Sequence, residues 1–278
     1  MIAVSLALLS ALSYGTSDFI GGFLSARVPA WTAGFTGTLV GGLVLAVYAA
    51  FTGGHLSLAA AGWGTLSGVG GGVGVSFLYR GLARGRMGVV APLSGVVAAL
   101  VPAVVGLASG ERPSLVACAG ALLALPASYL VARTPSGHAT SPGPSGALDG
   151  VAAGLGFGVS FASIAQASPS AGHWPIVVDL LVSAAVILVA ALVAGGDWVP
   201  RSLDAALSAS TGVLAATALM LFVASTHHGF LSISGIIASL YPSATVILAI
   251  VVLREHVHRI QALGLALCAV AVALVAAG

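Results

Sequence analysis

No Asp, Glu, Lys or Arg interrupts the sequence between Arg27 and Arg80, nor between Asp204 and Arg254. Chains built this way cannot clothe themselves in a surface that faces water. A soluble domain carries roughly 25% charged residues, whereas this one has 6%, beside 59% hydrophobic. Its outside must face lipid. A spanning helix needs about 20 apolar residues, and ten stretches qualify, near Ile2–Leu24, Trp31–Phe51, Leu58–Tyr79, Met87–Ala108, Ser114–Ala132, Leu148–Gln166, Trp174–Val193, Leu203–Ala224, Phe230–Leu253 and Ile260–Ala277. Their near-continuous apolarity excludes the alternating pattern of a membrane barrel. The expected fold is all-α, a polytopic membrane protein with ten transmembrane helices and no room for a soluble domain. The first stretch reads as a span, since it lacks the basic leader of a cleavable signal.

All nine basic residues are arginines. With ten spans, the odd-numbered connections hold Arg27, Arg80, Arg84, Arg86, Arg133, Arg201, Arg254 and Arg259, and the even-numbered ones hold only Arg112. The positive-inside rule then puts the odd connections in the cytoplasm and both termini outside.

The chain also repeats itself. Ser10–Ser17 (SALSYGTS) resembles Ala153–Ser160 (AGLGFGVS), and the same offset pairs Trp31 with Trp174. One residue further, Gly85 pairs with Gly229 and Glu111 with Glu255. Two five-helix halves are expected, residues 1–132 and 147–278. A Pro-, Gly- and Ser-rich linker loop, residues 133–146, joins them. An odd number of spans per half forces the second half to enter from the opposite side. That is an inverted repeat, the architecture of many secondary transporters.

The aromatic-Gly pair of the first helix, Ala91-Pro92-Leu93-Ser94, Gly110-Glu111-Arg112, Ser239-Leu240-Tyr241-Pro242 and Arg254-Glu255 together resemble EamA-type transporters of the drug/metabolite transporter superfamily. The resemblance covers nearly the whole chain. It implies ten helices around a central cavity, and export or exchange of small metabolites, amino acids, sugars or drugs without ATP hydrolysis. Two departures stand out. Thr36 and Asp179 occupy the paired positions where second helices of the family often carry a basic residue. Eukaryotic relatives are also usually drawn with cytosolic termini, against the arginine division here.

Asp18 is the sharpest single residue. It lies well inside the first span, where a carboxylate costs a few kcal/mol, so such residues usually face a polar pathway. Ser10, Ser13, Tyr14, Ser17, Asp18 and Gly21 share one helical face at three- and four-residue steps. Asp18 can exchange a proton or hold a cationic group on a solute; the bland alternative is a carboxyl bonded to neighbouring groups. Asp179, one turn into the seventh span, is expected to reach interfacial water. Ser160, Ser163 and Gln166 make a second polar stripe. Any one serine is more simply read as a helix contact.

Pro92, Gly95 and Pro102 are expected to break the fourth span, and Gly235 and Pro242 the ninth, because Pro removes a backbone donor and frees a carbonyl. Paired breaks in two halves point to a transporter's binding site. Ser94, Ser239 and Tyr241 flank these breaks, and Tyr79 ends the third span. Gly64, Gly68, Gly70, Gly72 and Gly74 read as a packing face. Cys118 and Cys268 read as small packing residues.

Several functions are excluded or disfavoured. Without lysine there is no phosphate-cradling Gly-x-x-x-x-Gly-Lys-Ser/Thr, hence no ATP-driven pump in this chain alone. The net charge of +2 gives no footing for nucleic acid. His227-His228 and His256-Val257-His258 lack further ligands, so no metal and no cofactor are expected. No catalytic cluster argues for an enzyme. The expectation is a secondary transporter in a bacterial plasma (inner) membrane, moving a small organic solute with proton coupling. Its rival is a membrane scaffold with a vestigial cavity, which predicts no flux and a tightly held partner.

Overall fold

The computed structural model describes residues 1–24, 27–83, 87–132, 144–254 and 258–278. Every regular element among them is helical. The helices are α1 (Ile2–Leu24), α2 (Ala30–Thr52), α3 (Leu58–Ala83), α4 (Met87–Ala108), α5 (Leu115–Ala132), α6 (Pro144–Ile164), α7 (Trp174–Ala194), α8 (Leu203–Leu207), α9 (Ala209–His228), α10 (Leu231–Ala238), α11 (Tyr241–Leu253) and α12 (Arg259–Ala277). Among the described residues, seven helical stretches are long and apolar enough to cross a membrane, counting α8–α9 and α10–α11 as one each. The protein is therefore an integral, multi-pass membrane protein. α3 is not among the seven; its many glycines make it less apolar than its length suggests. α4, 22 residues long, and α5, 18 residues long, are apolar as well.

Helices in lipid gain little from hiding apolar surface from one another. They associate through close packing and interhelical hydrogen bonds, and this chain uses both. Ser10, Ser13 and Ser17 of α1 donate to the carbonyls of Ala218 (2.8 Å), Leu214 (2.8 Å) and Thr211 (2.9 Å). One numbering rises as the other falls, so α1 and α9 run antiparallel. Gly64, Gly68 and Gly72 bring α3 onto α7, while Gly70 and Gly74 meet Gly156, Phe157 and Ser160 of α6. At the α2–α9 crossing, Gly37, Gly41 and Gly212 leave no space for a side chain.

The aromatic-Gly pair of each half has the same use. A methyl on Gly15 would meet Ala244 and the backbone of Tyr241 and Thr245 in α11, and one on Gly158 would meet Val101 and Ala98 in α4. Exchanging the first five stretches for the last five turns the α3–α6 contact into α9–α1. It turns α3–α7 into α9–α2, and α4–α6 into α1 with α10–α11. The pairs α2–α7, α4–α10 and α5–α12 map onto themselves, and each runs antiparallel: Gly42 meets Leu181 while Thr52 meets His173, Pro102 meets Gly235 while Gly106 meets Ser232, and Gly120 meets Leu274 while Val131 meets Gly264.

Several expectations need correction. α4 is one continuous helix through Pro92 and Pro102, so of the two stretches expected to break, the ninth alone does, at Ser239-Leu240. Pro242 takes the second position of α11, and its missing N–H denies the carbonyl of Ala238, at the end of α10, the donor that would carry the helix through the break. Pro102 is fully buried and packs on Gly235, so its ring fills a helix crossing. α6 begins at Pro144, inside the expected linker, with Pro at the favoured first helical position; residues 133–143 of that linker lie outside the described residues, as do Arg84, Gly85, Arg86, Glu255 and His256.

Candidate functional site

α1 carries two faces. Leu9, Leu12 and Phe23 are exposed apolar side chains and form its lipid stripe. At 3.6 residues per turn Asp18 lies on the opposite side, with Ala7, Ala11 and Tyr14. Ala7 and Ala11 are buried, yet Asp18 is exposed. Its carboxylate therefore opens into a crevice on the inner side of α1, away from lipid. It lies in electrostatic reach of Tyr14 and Tyr241. The two tyrosine rings stand 6.3 Å apart, and Tyr14 meets Phe161 edge-on at 5.8 Å. Phe161 in turn packs on buried Phe222 at 4.8 Å.

The break between α10 and α11 sets Tyr241 at this crevice. Its side chain hydrogen-bonds Ser94 of α4, which is fully buried. Thr245 Oγ1, one turn on, donates to the carbonyl of Gly15 (3.1 Å), tying α11 to α1 beside Asp18. Tyr14, Asp18, Ser94 and Tyr241, drawn from three separate stretches, thus meet.

Other expected site residues fall elsewhere. Ser17 spends its hydroxyl on Thr211. Ser239 donates to Ile236 in its own helix (2.7 Å) and is buried. Gln166 is exposed past the end of α6 and its side chain donates to Ala162 (3.4 Å), so among the described residues the stripe with Ser160 does not continue to it. The turn after Ile164 rotates it outward. The side chains of Tyr79 and Pro92 lie outside the described residues.

Asp179 departs most from expectation. It does not reach interfacial water; it is 4% exposed. The glycine face of α3 covers it, with Gly68 directly on its backbone. Ser67 Oγ donates to its Oδ1 (2.5 Å), and Ser160 Oγ stands 3.0 Å from Ser67 Oγ and 3.5 Å from the carboxylate. Ser160 is therefore at a site, but one built around Asp179. Tyr14 is in electrostatic reach of Asp179 as well as of Asp18. Asp149 is a third acid within the helices. It is 1% exposed and binds Arg80 (Nε at 2.9 Å), whose guanidinium also lies 4.3 Å over Phe77. Arg80 is thus more than a headgroup anchor.

Glu111 caps a helix across the halves. Its carboxylate accepts from the N–H groups of Leu231 (2.6 Å) and Ser232 (2.9 Å), at the start of α10, where the helix dipole favours negative charge. Among the described residues no three His, Cys, Asp or Glu side chains gather as metal ligands would.

Fold and site define a many-helix membrane protein with a carboxylate-and-tyrosine crevice built from separate helices. The model of the EamA-like transporter family matches in two parts, residues 1–133 and 144–277. The chain belongs to the EamA-like transporter family. A crystal structure of another protein aligns with a TM-score of 0.77 over 99% of this chain and 98% of its own, at 19% identity, a likeness of fold alone. No curated protein matches the sequence.

Proposed function

We propose that this chain is a secondary active transporter that moves a small organic solute bearing a cationic group across a bacterial plasma membrane. Two inverted five-helix repeats, ten spans in all, rock against each other to give alternating access, with proton movement coupled to solute export or exchange. The antiparallel run of α2–α7, α4–α10 and α5–α12 supports the inverted arrangement. The observation that carries the reading is Asp18, exposed on the lipid-averted face of α1 beside two tyrosines. A carboxylate next to aromatic faces attracts an organic cation through both its charge and the ring quadrupoles. Ser94 fixes Tyr241 in orientation, and the α10–α11 break lets that wall move.

The test is a thermal-shift screen of amines, amino acids and quaternary ammonium compounds on purified protein, followed by liposome flux for each stabilising compound. Cationic compounds should stabilise the wild type, and Asp18→Asn should abolish both the stabilisation and the flux. Equal stabilisation and flux in the variant would remove Asp18 from solute binding. Absence of flux with every stabilising compound would count against transport.

A further inference from the structure

Asp179 is a charge that solute binding at Asp18 leaves unused, and its surroundings are unlike those of Asp18. It is covered by three helices, α3, α6 and α7, rather than open to a crevice. Both hydroxyl contacts fall on Oδ1; among the described residues none is made to Oδ2. The helices packed near it offer few groups that could neutralise it. α2 and α7 carry no Lys, Arg or His within their helices, and His173 at the head of α7 turns to Thr52 and Tyr48. On α9, His227 and His228 lie at the end that meets the start of α7, where His227 lines a small pocket with Pro175 and Ile176, and among the described residues neither bonds the carboxylate. On α3, Arg80 is already bound to Asp149 of α6, and from α1 the residue in electrostatic reach of Asp179 is Tyr14, which is in reach of Asp18 as well. No cation answers this carboxylate among the described residues. A buried charge held only by hydroxyls is costly, and a bound proton removes the charge.

Its donors straddle the two halves. Ser67 belongs to the first half, and Ser160 and Asp179 to the second. The Ser67–Asp179 bond crosses the α3–α7 glycine contact, where Gly68 lies on the Asp179 backbone. Any sliding of one half over the other makes or breaks that bond. The equivalent position in the first half is Thr36, whose buried hydroxyl has no partner among the described residues. Only one of the two equivalent positions bears a titratable group.

We propose that Asp179, with Ser67 and Ser160, is a proton-binding site separate from the solute crevice, and that Tyr14 links the two carboxylates. This rests on the transporter reading for its purpose, but not for its detection. A proton on Asp179 turns the carboxyl into a donor and weakens its claim on Ser67. Loss of that proton restores the bond and draws α3 against α7.

Infrared difference spectra of the purified protein in acid against alkaline buffer read the protonated carboxyl directly, with no solute present. The wild type should give a protonated-carboxyl band that Asp179→Asn lacks and Asp18→Asn keeps. Ser67→Ala should retain the band at a shifted frequency, which tests the site even if Asp179→Asn folds poorly. A band unchanged in Asp179→Asn, or unmoved in Ser67→Ala, overturns the proposal. So does a sodium titration in alkaline buffer that reproduces the acid spectrum, since the site would then take a metal cation. In liposomes, Asp179→Asn should keep solute exchange and lose accumulation driven by a pH gradient. Failure of wild-type flux would remove the transporter reading and leave the spectroscopic result standing.

Discussion

Ser10, Ser13, Tyr14, Ser17 and Asp18 share one polar stripe in sequence, yet the fold divides them by a rotation of tens of degrees. The serines stitch α1 to α9, while Tyr14 and Asp18 face the crevice. Interhelical bonds of this kind average about 0.6 kcal/mol. Replacing all three serines by Ala should therefore lower stability by about 2 kcal/mol, with flux retained once the protein is folded; a thermal melt beside a flux assay checks both. Arg80 offers a sharper case. Its removal strands Asp149 without its cation, and because Arg80 is half exposed the cost is discounted to about 1–3 kcal/mol. Arg80→Ala should melt earlier, and the double change Arg80→Ala with Asp149→Asn should recover part of the loss. His173, just outside α7, meets Thr52 (3.3 Å) and the Tyr48 ring (5.1 Å). Burial lowers its imidazole from the ordinary 6.5. The unfolded chain then binds a proton that the folded chain resists. The stabilisation is complete above about pH 6.5 and is lost as the pH falls. Melting curves of His173→Gln should decline less on acidification than those of the wild type.

Among elements, the interrupted ninth stretch shows how much a helix depends on what it crosses. α10 starts on the Glu111 carboxylate and crosses α4 where Gly235 meets Pro102. The chain then turns at Ser239-Leu240 before α11 begins. Pro242 is at the second position of α11, so Pro242→Ala restores a donor for the Ala238 carbonyl across the break; the fold should hold, and flux should fall as the segment straightens. Glu111→Ala removes two charge-assisted bonds at the α10 terminus and should cost about 1.5–3 kcal/mol. Melting temperatures for the two variants decide this; an equal loss for both would overturn the distinction. Glycine crossings should be less forgiving still. A side chain on Gly212 meets the Gly37 carbonyl, which is backbone and cannot yield. Gly212→Val should cost at least the ~1–3 kcal/mol typical of overpacking, whereas the same change at Gly62, where the space is open, should be near neutral.

At the scale of the whole molecule, the two ends of the bundle are distinct. His55 donates its N–H to the carbonyl of Ser170 (3.1 Å), so the second and sixth connections meet at one end. Arg80 and Asp149 meet at the other, beside the third and fifth connections. The arginine division predicts which end faces the cytoplasm. Cysteines introduced at residues 80–86 or 133–146 should resist an impermeant thiol reagent in intact cells, and those near His55 or Gly172 should react. The reverse pattern would invert the orientation and leave the packing untouched.

Membrane residence and helical class were legible in the sequence because lipid admits almost no charge and no unpaired backbone; composition and run length state both directly. The family was legible too, since short motifs kept their order and spacing across both halves. The inner position of Asp18 followed from helical periodicity opposite a leucine stripe. Tertiary structure alone decided the rest. Asp179 looks shallow when counted from its own helix end, but α3 can approach closely enough to bury it only because Gly68 has no side chain. Ser67 gave no signal within its glycine-rich stretch, since a serine becomes a donor to a carboxylate only when another helix brings one. Pro92 and Pro102 looked like breaks, and α4 passes through both; whether a proline interrupts a helix depends on the neighbours that fill its kink and meet its freed carbonyl. Patterns along one helix fix which face looks inward. What that face meets is set by helices far away in sequence, whose approach depends on the shape of the surfaces between them.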